Sequence, residues 1–194
     1  MLAPFVLIAC DRKNERHAAS VNEVNALTPA VEATAVAATD ARANLAPTAG
    51  PAANGALQLS NTGKGVRITG EIAGLAPGSR HGFHVHEKGD CSAPDASSAG
   101  DHLNPGDAPH GDPDSARHHA GDLANIQANS QGVANVNFTT SALSLGDGGA
   151  SDAMGKALIV HDKPDDYASQ PSGNSGDRVA CGVIVSSSAT LGPM

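Results

Sequence analysis

The sequence predicts an all-β domain, a sandwich or barrel of many short strands, on three observations. Aromatic residues make up only 2% of the 194 residues, with no Trp, one Tyr and three Phe, so a core has to come from Val, Ile, Leu and Ala. Gly (22) and Pro (12) are plentiful, which suits turn-rich β structure better than helices. Apolar and polar residues alternate with the period of a half-buried strand, most plainly where Val66, Ile68 and Ile72 are separated by Arg67, Thr69 and Glu71.

From the N-terminus, Met1 to Ala9 is a short apolar stretch ending Leu7-Ile8-Ala9-Cys10, which looks like a bacterial lipobox with Cys10 as the lipidated residue. The alternative is an apolar end with an incidental cysteine. Three cysteines are an odd number for an exported chain, and setting Cys10 aside leaves Cys91 and Cys181 as a pair. The stretch is too short to span a bilayer, so residues 1–10 are expected as signal and lipobox. Residues 11–54, rich in Ala, Thr, Asn, Val and Pro and without a sustained apolar face, are expected as a flexible tether. Residues 55–194 form the expected domain, in keeping with a typical domain size of roughly 100–150 residues.

Within that domain the strand candidates are Ala56 to Ser60, Val66 to Ile72, Arg80 to Glu87, Gly132 to Thr139, Lys156 to His161 and Gly182 to Ser186. Gly74-Leu75-Ala76-Pro77-Gly78 turns the chain between the second and third. Cys91 to Leu123 and Asp162 to Arg178 interrupt the rhythm as long Gly-, Pro- and Asp-rich loops, a length that calls for a functional reason or a staple. A formal net charge of −8 with no basic run excludes a nucleic-acid partner.

The nine histidines are the chemical signal. His84 and His86 sit two apart on a predicted strand, so both rings project from one face while Phe83 and Val85 point into a core. The long loop carries His102, His110, His119 and Asp122, and His161 ends a later strand. Three imidazoles with one carboxylate suit a closed four-coordinate zinc site, and four imidazoles with solvent access suit copper.

Several segments carry a family resemblance: Gly82-Phe83-His84-Val85-His86-Glu87, Ala99-Gly100-Asp101-His102-Leu103-Asn104-Pro105, Arg117-His118-His119-Ala120-Gly121-Asp122-Leu123, Val160-His161, and Gly176-Asp177-Arg178-Val179-Ala180-Cys181-Gly182-Val183-Ile184. Over roughly residues 55 to 190, and in order and spacing, these resemble the copper-zinc superoxide dismutases. The resemblance implies an eight-stranded Greek-key barrel with two long functional loops. It implies copper on His84, His86, His102 and His161, zinc on His102, His110, His119 and Asp122, and His102 bridging both as imidazolate.

The implied activity is disproportionation of superoxide to O₂ and H₂O₂, with copper as the redox metal and zinc as scaffold. The alternative is a non-catalytic copper- or zinc-binding module of the same fold. Arg178 is expected at the mouth of the copper site, where a guanidinium would orient the anion. Asp165 is expected to accept hydrogen bonds from His84 and His110, with Asp162 and Asp166 as neighbouring alternatives. Of the other histidines, His17 falls in the tether, His81 reads as structural, and His118 is disfavoured because the three-residue step from His119 to Asp122 matches the family.

The resemblance also pairs Cys91 with Cys181, a bond that needs an oxidising compartment and so agrees with export to the periplasm or cell envelope. It admits a homodimer as well as a monomer. From Gly55 on, eight Lys and Arg against fifteen Asp and Glu leave −7, so attraction of an anionic substrate has to be local. The family is itself a reference case for focused fields and near-diffusional rates. Lys88, Lys163 and Arg117 are candidates for guidance beside Arg178.

Overall fold

The computed structural model of the chain describes residues 40–48 and 52–188. They contain nine strands: β1 (Asp40–Pro47), β2 (Asn54–Asn61), β3 (Val66–Ala73), β4 (Arg80–His81), β5 (Phe83–His86), β6 (Ile126–Gln127), β7 (Ala134–Thr140), β8 (Ala157–His161) and β9 (Arg178–Ser186). Among the described residues the only helical element is one 3₁₀ turn, Ser97–Ala99.

One antiparallel sheet runs β5-β8-β9-β1-β2-β3-β7, and a second pairs β4 with β6. These join into a ring at two places. β4 and β5 are one strand interrupted at Gly82, which leaves the ladder to exchange backbone hydrogen bonds with Lys163 (2.8 Å) and His161 (2.9 Å). β6 enters β7 through a turn built on Asn129, and Ala128 bridges Ala134 across it. With β4 and β5 counted once, the fold is an eight-stranded barrel in which β3 and β4 are joined across the β6-β7 hairpin, a Greek-key connection.

The alternation read in the sequence is what fills the barrel. Val66, Ile68 and Ile72 of β3 are fully buried, and Leu57, Leu59, Phe83, Val85, Leu158, Val160 and Ile184 meet them in one core. Phe138, half-buried, packs edge-on against Phe83 at 6.3 Å. A second, smaller cluster lies on the other face of β8 and β9, where Ala96 and Ala99 cover Ala157, Ile159 and Cys181. There the Cys91–Cys181 disulfide, with Cα atoms 5.8 Å apart and a sequence separation of 90, ties the start of the long loop to β9.

The structure departs from the sequence reading at three points. The expected tether 11–54 overlaps β1, which is a central strand between β2 and β9, so the domain begins before Gly55. Its inward residues are Ala41, Ala43 and Leu45, and alanine gives a weak alternation signal although it packs well beneath neighbouring strands. Arg80 to Glu87, expected as one strand, is divided at Gly82, and β6, two residues long, was not expected. Residues 1–39, including Cys10 and His17, lie outside the described residues.

Candidate metal centre

β5 carries His84 and His86, and pleating turns both rings away from the Phe83 and Val85 side chains in the core. One edge of β5 pairs with β8. The other edge is taken by the long loop: Leu103 donates to the Val85 carbonyl (2.8 Å), Val85 to Gly121 (2.9 Å), and Glu87 to Asp101 (2.9 Å). These short pairings bring His102 opposite His86 and Asp122 opposite His84. Gly121 is required for this approach, because a Cβ there would collide with the Val85 carbonyl. On the far side, a bulge between β8 and β9 sets His161 directly across from Arg178.

Two groups of potential donor atoms result, each within 4.8 Å of one another: His84, His86, His102 and His161; and His102, His110, His119 and Asp122. All seven residues are buried. In the first group, hydrogen bonds fix the rings by holding one nitrogen and leaving the other bare. His84 donates from Nε2 to Asp165 (2.7 Å), His86 from Nδ1 to the Gly100 carbonyl (2.8 Å), and His161 from Nδ1 to the Gly176 carbonyl (3.2 Å). The opposite nitrogens, His84 Nδ1, His86 Nε2 and His161 Nε2, are buried without a partner, as is His102 Nε2. Four unpartnered buried nitrogens facing one another would be costly in a protein that never binds a cation there.

The second group converges on Asp122 Oδ1, which lies 2.7 Å from His102 Nδ1, 3.0 Å from His110 Nδ1 and 3.2 Å from His119 Nδ1. Donors of a tetrahedral zinc ion with bonds of about 2.0–2.1 Å stand about 3.3 Å apart, close to the spacing of these four atoms. His102 belongs to both groups, offering Nε2 to one and Nδ1 to the other. The chemistry of both donor sets therefore fits metal ions: four imidazole nitrogens in one, three and a carboxylate in the other.

Asp165 links the groups from the second loop, accepting from His84 at Oδ2 and from His110 Nε2 at Oδ1 (2.9 Å). Asp162 and Asp166 do neither; Asp166 is occupied with Ser169 and Asn174. Asn125 and Tyr167, which sequence reasoning missed, hold Asp165: the Asn125 side chain bonds its N–H and carbonyl (2.8 and 2.9 Å), and the Tyr167 N–H donates to its carboxylate. No local pattern marks either residue. His81 bonds the His161 carbonyl and Ser79, a structural role, and His118 turns away to bond the His119 carbonyl.

Charge follows geometry. Burial pushes the His84 pKa down to about 4 despite its bond to Asp165, and lowers His86 and His161 well below the usual value, so these rings are neutral and ready to ligate. Burial opposes protonation of His110 as well, but the Asp122 and Asp165 carboxylates outweigh it and raise the pKa to about 9. Burial likewise works against ionisation of Asp122 and Asp165, and their histidine partners still hold both carboxyls well below the usual range.

A cavity of roughly 390 Å³ opens onto His86, His102 and His161. Among the described residues Arg178 is the one Lys or Arg lining it, and its guanidinium is aimed by hydrogen bonds to the Ala96 (2.6 Å) and Gly100 (2.7 Å) carbonyls. Glu87 and Asp101 lie on the same wall, whereas Lys88, Lys163 and Arg117 do not line it.

Comparison with known proteins agrees with the site. Residues 53–184 match the family model for copper/zinc superoxide dismutase, and the chain belongs to that family. Its cofactors are copper and zinc. The chain is 38% identical over 136 residues to an extracellular copper-zinc superoxide dismutase of Caenorhabditis elegans, covering 67% of this chain and 60% of that enzyme, less than two-thirds of its length. It is 39% identical over 133 residues to copper-zinc superoxide dismutase 1 of Aquifex aeolicus, covering 67% of this chain and 79% of that one. Among solved structures it resembles a double variant of a superoxide-dismutase-like protein from Bacillus subtilis in which a tyrosine and a proline are replaced by histidine. That likeness has a TM-score of 0.68 at 37% identity, over 74% of this chain and 96% of that chain.

Proposed function

We propose that this chain is a superoxide dismutase, converting two superoxide anions and two protons into O₂ and H₂O₂. The observation that carries the reading is His102, whose two nitrogens belong to different donor groups. On this reading His84, His86, His102 and His161 hold copper, and His102, His110, His119 and Asp122 hold zinc. Copper bound there supplies the one-electron oxidation and reduction that the reaction needs.

The chain's own residues supply the rest. His84, His86 and His161, each anchored through its second nitrogen, fix three donors on the barrel wall. The zinc group has four protein donors and leaves no open position, which suits a scaffold. His102 Nε2 faces the open group with no other partner, and with a metal held there it would be the atom placed to carry a proton to the reduced product. Arg178, on β9 opposite His161 of β8, attracts and orients the anion at the cavity mouth.

We further propose that the protein is exported to the periplasm or cell envelope and anchored through Cys10. The Leu7-Ile8-Ala9-Cys10 sequence supports the anchor, and a disulfide suits an oxidising compartment. The rival reading is a copper- or zinc-binding module without turnover, and kinship to a protein described as superoxide-dismutase-like keeps it in view. Metal analysis with a superoxide assay separates the two. The enzyme should hold copper and zinc in nearly equal amounts and lose activity on copper chelation; both metals bound without activity supports the module.

A further inference from the structure

The metal-donor residues differ in how their backbones are held. His84 and His86 lie in β5, His161 in β8, and His102 is bridged to His86. His119 and Asp122 share a turn, in which the Asp122 N–H donates to the His119 carbonyl (3.1 Å). His110 is the exception. Among the described residues its main chain has no backbone partner, and both of its peptide groups are taken by one side chain. The His110 N–H donates to Gln170 Oε1 (2.9 Å), and Gln170 Nε2 donates to the His110 carbonyl (2.9 Å).

A primary amide offers one donor and one acceptor on the same edge, so it can satisfy both groups of a peptide as a neighbouring strand would. The same loop reaches the His110 ring through Asp165. Gly173, at φ 66°, lets the loop fold over that contact, since a Cβ there would strike Asp165 Oδ1 and approach His110 Nε2 to 2.7 Å. His110 is thus gripped at three points by residues 162–178 and by no strand.

We infer that Gln170 is a positioning residue for the zinc group: by clamping the His110 backbone it sets the reach of Nδ1 toward Asp122, and so makes zinc affinity depend on the second loop. This rests on the zinc assignment of His102, His110, His119 and Asp122 proposed above. Gln170 is exposed, so replacing it removes the clamp without opening a hole in the core. Partners that orient a ligand without touching the metal typically govern affinity by about 10- to 100-fold.

The test is a competition titration of the metal-stripped full-length protein with zinc alone and, separately, with copper alone, using a chromophoric chelator. Gln170→Ala should weaken zinc by about tenfold or more, leave copper within about twofold, and leave the melting temperature of the metal-free protein unchanged. Gln170→Glu keeps the side-chain length but loses the donor, and should weaken zinc in the same way, which also covers the case of an alanine variant that fails to fold. Gln127→Ala is the control, because Gln127 Nε2 bonds the Gly78 and Ser79 carbonyls away from both donor groups; it should change neither affinity. Zinc affinity within twofold of the parent in both Gln170 variants, or an equal loss of zinc and copper, overturns the inference. Asp122→Asn tells this failure from failure of the assignment. If Asp122→Asn also leaves zinc binding intact, the zinc group itself is misassigned; if it abolishes zinc binding while Gln170→Ala does not, only the clamp is wrong.

Discussion

The two donor groups share a histidine but are built by opposite means. The open group is mounted on the barrel: its rings ride on β5 and β8 or are bridged to β5, and each second nitrogen other than that of His102 ends on a fixed acceptor. The closed group is mounted on a loop whose geometry comes from side chains, with Asp122 at its centre and Asp165 and Gln170 reaching over from a second loop. A strand resists displacement through its ladder and the core beneath it, while a loop holds its shape only as far as its polar contacts do. The barrel-mounted group is therefore expected to be the more rigid of the two without metal, and the loop-mounted group to gain more order from metal binding, as where metal binding and folding energy are linked.

The largest effect should come from the residue the two constructions share. His102→Ala is expected to weaken both copper and zinc by more than about 100-fold, beyond the usual cost of losing an outer partner. His86→Ala should lose copper alone and His119→Ala zinc alone. Metal content after dialysis against a weak chelator reads all three; loss of a single metal from the His102 variant would break the comparison at its joint.

Next in size is the staple. Replacing both Cys91 and Cys181 with Ser should cost about 4–5 kcal/mol of stability by the chain-entropy estimate for a 90-residue loop, measured by urea unfolding. Amides of residues 91–99 should lose protection beyond the global loss they share with β2 and β3, which the bond does not touch. Uniform loss of protection would mean that the staple serves the barrel rather than the loop.

Arg178 should show a smaller, kinetic effect. Arg178→Ala is expected to lower the second-order rate with superoxide by roughly tenfold and flatten its dependence on ionic strength. Arg178→Lys keeps the charge but loses the fork bonded to the Ala96 and Gly100 carbonyls, so salt dependence should survive while the rate falls less. Because His86 also bonds the Gly100 carbonyl, unchanged copper affinity in both variants is needed to assign the loss to the anion.

The same division explains what could be read from the sequence. Regular alternation was legible in β3, and the two-residue step from His84 to His86 announced two rings on one face, because pleating converts spacing directly into direction. β1 was missed because Ala41 and Ala43 alternate without the bulk that marks a buried face, and β6 because two residues cannot establish a period. The loop-mounted group was legible only through resemblance, since nothing local in His102, His110, His119 and Asp122 says that they converge. Asn125, Tyr167 and Gln170 stayed hidden for a related reason: each acts on a residue at least 40 positions away or through a backbone contact with no sequence pattern.

The smallest effect, and the one that separates His110 from the open group within a single experiment, is the pH dependence of the metal-free protein. Three rings of the open group are buried neutral, with His84 at about 4 and His86 and His161 also lowered by burial, against about 6.5 in an unfolded chain. As pH falls below about 6.5 the unfolded state takes up protons at these rings that the folded state refuses, so stability falls. His110 acts in the opposite sense. With its pKa raised to about 9, its contribution is complete below about 6.5 and is lost as pH rises toward 9, where the unfolded chain has already released the proton. Asp122 and Asp165, held low, contribute unchanged above about pH 5. The melting temperature of chelator-treated protein should therefore peak near pH 6.5 and decline on both sides, more steeply toward acid because four rings act there, His119 being lowered by burial as well, against one. Zinc binds His110 only when Nδ1 is free of a proton, so loading zinc should remove the alkaline decline and leave the acid one. A metal-free melting temperature that climbs steadily from pH 5 to 9 would mean that the carboxylates of the loop-mounted group do not hold a proton on His110.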